Sequence, residues 1–154
     1  MFYLVSYPAH ADYPTTHATL DQANRVDLGS AKESNARAIF QYIRIGKIKS
    51  CQLVMGFTEL QEGSVWNTFP PHTHDRRTEV YCYFDLPKNG LVFHIMGEPD
   101  ETRHIAIREK QVALSPEWSI HAGVGTGAYR FVWAMGGENQ VFDDMDKVDV
   151  GGMK

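Results

Sequence analysis

Residues 52–84 read QLVMGFTELQEGSVWNTFPPHTHDRRTEVYCYF. Three short runs rich in β-branched and aromatic residues, QLVMGFTEL, SVWNTF and EVYCYF, are parted by turn-forming residues at Glu62-Gly63 and at Asp75 to Thr78, a pattern that predicts strands joined by tight connections. The same rhythm continues on both sides, as AIFQYI upstream and as LVFHIM, RHIAI, QVAL and YRFVWAM downstream, giving about eight candidate strands. Pro87-Lys88-Asn89-Gly90, Gly97-Glu98-Pro99-Asp100 and Gly123 through Gly127 supply the turns between them. No long amphipathic helical period interrupts the series, so the expectation is an all-β fold of antiparallel hairpins closing into a sandwich or barrel. Residues 1–35 are more mixed and predict a strand, a loop and one helical turn packing on that barrel. The barrel itself is expected over 36–154, with an acidic tail around Asp143, Asp144 and Asp146 read as solvated or interface-facing.

A chain of 154 residues with 43% hydrophobic and 22% charged residues suits one globular domain. Its net charge of -4 gives no basic surface for a polyanion, which argues against nucleic acid as a partner. No apolar run approaches the roughly 18 residues a bilayer requires. The opening MFYLVSYPAHADYP lacks a basic region ahead of a long apolar stretch, so a cytoplasmic location without a membrane partner is expected. Cys51 and Cys82 cannot build a disulfide framework and suit a reducing compartment.

The chemistry lies in Pro70-Pro71-His72-Thr73-His74-Asp75-Arg76-Arg77-Thr78-Glu79 and, downstream, Pro116-Glu117-Trp118-Ser119-Ile120-His121. Residues two apart on a strand project from one face, so His72 and His74 can aim both imidazoles at one point. A chain reversal over Asp75 to Thr78 returns Glu79 toward them at the head of the next strand, and His121 would complete the set from another strand. Imidazoles with one carboxylate suit Zn²⁺, Fe²⁺, Mn²⁺ or Ni²⁺, and the ligand types alone do not choose among them. If Glu79 faces inward, alternation puts Tyr81 and Tyr83 on its face, with Val80, Cys82 and Phe84 on the other.

The spacing H-x-H-x4-E at His72 to Glu79, with Pro116 and His121 in the second motif, resembles the cupin superfamily, which implies a double-stranded β-helix or jelly-roll barrel. Trp118 stands where the second motif has glycine, and Gly63 and Gly90 lie farther out than the usual flanking glycines. Longer strings, MGFTELQEGSVWNTFPPHTHDRRTEVYCYFDLP, MGEPDETRHI and SPEWSIHAGVGTGAYRFVWAMGGENQVFDDMD, resemble the 5-keto-4-deoxyuronate isomerase family over nearly the whole chain. Members are about twice this size, so the chain corresponds to the C-terminal half. The resemblance implies one Zn²⁺ per chain held by His72, His74, Glu79 and His121, a homo-oligomer of the hexamer type, and a uronate substrate in pectin breakdown.

The implied reaction turns 5-dehydro-4-deoxy-D-glucuronate into 3-deoxy-D-glycero-2,5-hexodiulosonate, with one proton leaving C2 and one arriving at C1. Tyr81, Tyr83, Glu138 and Glu59 are the candidate proton-transfer groups. Arg76 and Arg77, in the turn between ligands, are candidates for the substrate carboxylate, with Arg103 and Arg108 as further guanidinium groups, and Trp118 is a candidate pocket wall. His94 and His104 are expected in the core or behind the ligands. Rival readings are an Fe²⁺ cupin dioxygenase, which uses the same ligand types, and a non-catalytic fragment that binds a metal and a sugar acid.

Overall fold

The aromatic and β-branched runs do form strands in the computed structural model, which describes residues 2–154. In chain order these are β1 (Asn24–Leu28), β2 (Arg37–Ile43), β3 (Leu53–Leu60), β4 (Trp66–Thr73), β5 (Arg77–Phe84), β6 (Val92–Glu98), β7 (Glu101–Ile107), β8 (Val112–Ser115), β9 (Ile120–Gly125), β10 (Arg130–Gly137) and β11 (Asp146–Lys147). They make two antiparallel sheets, ordered β1-β2-β3-β10-β5-β8 and β11-β4-β9-β6-β7, the jelly-roll barrel expected from the sequence. Helical structure among the described residues is confined to three-residue 3-10 turns, and no helix is long and apolar enough to cross a membrane.

The first sheet begins at β1, in the segment expected to hold a strand, with Leu28 paired to Arg37 and Asn24 to Gln41. Two other features differ from the sequence reading. The stretch Ile120-His121-Ala122-Gly123-Val124-Gly125 is a central strand despite its small residues, since β4 and β6 flank it on both sides. The acidic tail is not simply solvated. Asp146 and Lys147 pair with Thr73 and His72, which brings the chain from 138 to 147 back over the end of the barrel.

Alternating strand residues from both sheets meet between them. Val54, Tyr81, Tyr83, Val92, Ile107, Phe131, Trp133 and Met135 form the buried cluster, and each such large apolar side chain contributes roughly 1.5–3 kcal/mol by leaving water. Gly56 on β3 is required by this packing, because a Cβ there would stand 2.4 Å from the Trp133 indole and 2.2 Å from the Phe40 carbonyl oxygen. The indole thereby approaches the β3 backbone closely, and its Nε1 donates to Thr58 Oγ1 at 3.1 Å. Between the sheets, at the end covered by the returning tail, lies the site.

Candidate metal centre

His72 on β4 pairs directly with His121 on β9, so their side chains leave the second sheet side by side. His74 follows one residue past the end of β4, and the turn through Asp75 and Arg76 delivers Glu79 on β5 from the opposite sheet. One ligand atom from each of the four residues lies within 4.8 Å of every other, and all four residues are buried. His72 Nε2 is 3.0 Å from His74 Nε2, while Glu79 Oε2 is 3.1 Å from His74 Nε2 and 2.8 Å from His121 Nε2.

These contacts fit a cation better than they fit one another. Two imidazole nitrogens 3.0 Å apart share at most one proton. His121 Nε2 is buried and close to Glu79, yet lacks the alignment of a hydrogen bond and has no other partner. Burial, together with the neighbouring His121 and His74 rings, pushes the His72 imidazole far below its ordinary range and so keeps it neutral. Burial alone would raise the Glu79 carboxyl, but the close His121 and His74 imidazoles outweigh it and hold the group ionised. Three imidazoles and one carboxylate form a donor set suited to a divalent transition metal.

The surroundings orient the ligands. His74 Nδ1, on the ring edge away from the site, lies 3.0 Å from the Asp144 carbonyl oxygen and 2.8 Å from Arg77 Nη2, contacts that fix the ring. The returning tail is in turn clasped by Arg77, whose Nη1 donates to Val141 O at 2.6 Å and Asn139 O at 3.4 Å. Its Nη2 donates to Asp144 O at 2.8 Å and Phe142 O at 3.3 Å. Asn139 adds a bond to the Asp75 carbonyl at 2.9 Å, closing the tail onto the turn between the ligands.

A cavity of about 150 Å³ opens beside the four groups, walled by Leu28, Ile39, Phe131, Met135, Phe142 and Met145 among others. Tyr81 lines it, as the alternation along β5 predicts, and its hydroxyl lies 3.0 Å from Thr68 Oγ1. Burial, with the nearby Glu79 charge, raises the Tyr81 phenol well above its ordinary value, so it carries its proton at neutral pH. Thr68 takes a φ of 48°, a costly left-handed conformation for a β-branched residue, within the irregular stretch of β4 just before His72.

Other expected site residues land elsewhere. Tyr83 shares the face of Tyr81 but sits deeper, fully buried, with its hydroxyl 2.7 Å from His94 Nδ1; His94 Nε2 in turn lies 3.1 Å from Ser115 Oγ. Glu138 is on the outside, 3.3 Å from Arg76 Nη1, and Arg76 also faces Asp75 at 3.5 Å. Glu59 pairs with Arg130 at 2.6 Å. Trp118 is 52% exposed and outside the cavity wall. Arg77, expected on a turn surface or at a substrate carboxylate, is 2% exposed, with both terminal nitrogens committed to the tail. His104 is exposed because β7 is the edge of its sheet, where it lies against Phe93. The sequence reading missed Arg37 and Thr68, which both line the cavity. For Arg37 the signal was present: it precedes the run AIFQYI by one residue and shares a face with Ile39.

Comparison with known proteins agrees with this geometry. The chain is 58% identical over 153 residues to the 4-deoxy-L-threo-5-hexosulose-uronate ketol-isomerase of Opitutus terrae, covering 99% of this chain and 55% of the relative. It is 58% identical over 149 residues to the enzyme of the same name from Lachnoclostridium phytofermentans, covering 97% of this chain and 54% of the relative. The chain thus spans about half the length of the curated relatives it matches. Among solved structures, an IolB-like protein from Salmonella typhimurium shares the fold with a TM-score of 0.70 at 14% identity, over 83% of this chain and 51% of that one. Oxalate oxidase does so with a TM-score of 0.58 at 18% identity, over 88% and 70%. With residues 1–150 matching the model of the KduI/IolB family, the chain belongs to that family.

Proposed function

We propose that the chain is the metal-binding half of a ketol-isomerase acting on an acyclic uronate, with 5-dehydro-4-deoxy-D-glucuronate as substrate and 3-deoxy-D-glycero-2,5-hexodiulosonate as product. The observation that carries the reading is the convergence of His72, His74, Glu79 and His121 on one buried point beside a cavity that also holds the Tyr81 hydroxyl. The names of the relatives supply the reaction class. Zn²⁺ is the metal of choice in this reading, since the reaction needs no change of oxidation state and the ligands suit a redox-silent ion.

A divalent ion held by the four groups would supply Lewis-acid polarisation of the substrate carbonyl and would stabilise the negative charge that develops as C2 loses its proton. That proton passes to a base from the remainder of the two-part enzyme, which returns it to C1, while this chain's residues act on the substrate's oxygens and surroundings. Tyr81, kept protonated and oriented by Thr68, donates its hydroxyl proton toward a substrate oxygen as charge builds there. Phe131, Trp133, Met135, Phe142 and Met145 exclude water from the cavity, which strengthens each polar contact inside it and protects the enediol from side reactions. Arg77 holds Phe142 and Met145 in place through the tail carbonyls. Glu59 and Glu138, away from the cavity, take no part in proton transfer in this reading.

One further reading has a specific observation behind it: because the chain spans about half of its relatives, it can serve as a metal- and sugar-acid-binding module completed by the other half. The assembly is then a homo-oligomer of two-part protomers. Turnover of 5-dehydro-4-deoxy-D-glucuronate by the zinc-loaded chain, absent after chelation and restored by zinc, supports the isomerase reading. Zinc binding without turnover, with activity on adding the missing half, selects the second; turnover that survives chelation rejects both.

A further inference from the structure

Arg37 stands out among the basic residues. It opens β2 on the same face as Ile39, and both side chains line the cavity that holds His72, His74, Glu79 and Tyr81. Arg37 has no carboxylate within salt-bridge distance among the described residues, as is also true of Arg44, Arg77 and Arg108, but of these four only Arg37 lines the cavity. Its guanidinium makes one hydrogen bond, from Nη1 to the Asn35 carbonyl oxygen at 2.9 Å. The other donors have no protein acceptor, and the cavity has Leu28, Ile39, Phe131 and Phe142 among its walls. A half-buried cation in such a wall is costly unless something anionic meets it. Glu79 does not serve, because both the His74 and His121 imidazoles already engage its carboxylate.

We infer that Arg37 is the anchor for the carboxylate of the substrate, holding the acid end of the molecule while its carbonyl end lies at the four converging groups. The inference rests on the uronate reading above and adds the residue that selects a uronate over a neutral sugar. A guanidinium fork meets a carboxylate through two parallel N–H donors, which fixes orientation as well as affinity. Arg77 cannot do this, since its terminal nitrogens hold the tail, and Arg76 is on the outside with Glu138.

The test compares D-glucuronate with D-glucuronamide, which has the same ring but no charge, by calorimetric titration of the zinc-loaded chain. The intact chain should bind the acid more tightly than the amide. Arg37→Met should weaken the acid by about 10- to 100-fold and leave the amide nearly unchanged, the usual loss for a charge-assisted pair. Arg37→Gln, which keeps a donor for the Asn35 carbonyl, guards against a folding defect and should behave alike, with zinc content and melting temperature near those of the intact chain. Retained preference for the acid in both variants overturns the inference, as it does if the acid binds the metal directly. Equal binding of acid and amide by the intact chain overturns it as well. Preference lost in the variants, in a chain that turns over no substrate, would sink the isomerase reading and leave Arg37 as the carboxylate anchor.

Discussion

Replacing Arg77 with methionine should loosen the tail and, through it, the metal centre. Arg77 is 2% exposed, and its guanidinium makes two short bonds to the tail, at 2.6 Å to Val141 O and 2.8 Å to Asp144 O, besides two longer ones and a 2.8 Å contact of Nη2 with His74 Nδ1. Charged donors of this kind contribute about 1.5–3 kcal/mol each. Counting only the short pair gives about 3–6 kcal/mol, and relief of the buried charge returns part of that, so a net loss of about 2–4 kcal/mol is expected. For a domain of this size that is a fall in melting temperature of about 4–16 °C. Because the Asp144 carbonyl also fixes His74 Nδ1, zinc affinity should drop by about 10- to 100-fold. Lysine at this position has one ammonium in place of a fork and should fall between the two. Thermal unfolding by circular dichroism, with and without zinc, and competition against a chelator of known affinity measure both effects. A methionine variant that melts within 2 °C of the parent, at about the same zinc affinity, would refute the clasp.

Tyr81→Phe should lower turnover by about 10²- to 10⁴-fold while zinc content stays full, since only a hydroxyl at the cavity wall is lost. Tyr83→Phe should do the reverse, costing about 1–3 kcal/mol of stability by leaving His94 Nδ1 unpaired, with catalysis kept; equal turnover loss in both would contradict the assignment. His94 gives a pH effect. Burial, with His121 nearby, depresses its pKa to about 4, so between that value and about 6.5 the unfolded chain holds a proton that the folded chain lacks. Stability should therefore fall as pH drops from 6.5 to 4, by about 3 kcal/mol from this residue, and level off below 4. His94→Gln should flatten that part of the denaturation profile, and an unchanged slope would show that His94 is protonated in the fold.

The ligand quartet was legible because strand geometry reads directly from spacing: a single residue separates His72 from His74, and the turn to Glu79 is short. Alternation also put Tyr81 and Tyr83 on the right face, but it gives the face and not the depth, so only the structure separates a cavity phenol from a core one. His121 was placed on a strand, but Gly123 to Gly125 was read as a turn because its glycines carry little β propensity; the two neighbouring strands supply the stability. Arg77 was illegible for a different reason. Nothing in a turn sequence says that carbonyls from residues 139–144 will return to meet it, and the acidic side chains of that segment hide a backbone whose Phe142 and Met145 turn inward. Arg37 was overlooked because a charged residue at the head of a strand run reads as its solvent-facing boundary.

Elemental analysis paired with an isomerisation assay on the intact chain, Glu79→Gln and His74→Ala tests the central claim most directly. The account predicts close to one zinc per intact chain and little in either variant, with 5-dehydro-4-deoxy-D-glucuronate turned over only where zinc is present, by the chain alone or with the missing half supplied. Metal-free intact protein, or variants that isomerise the substrate without metal, would contradict it.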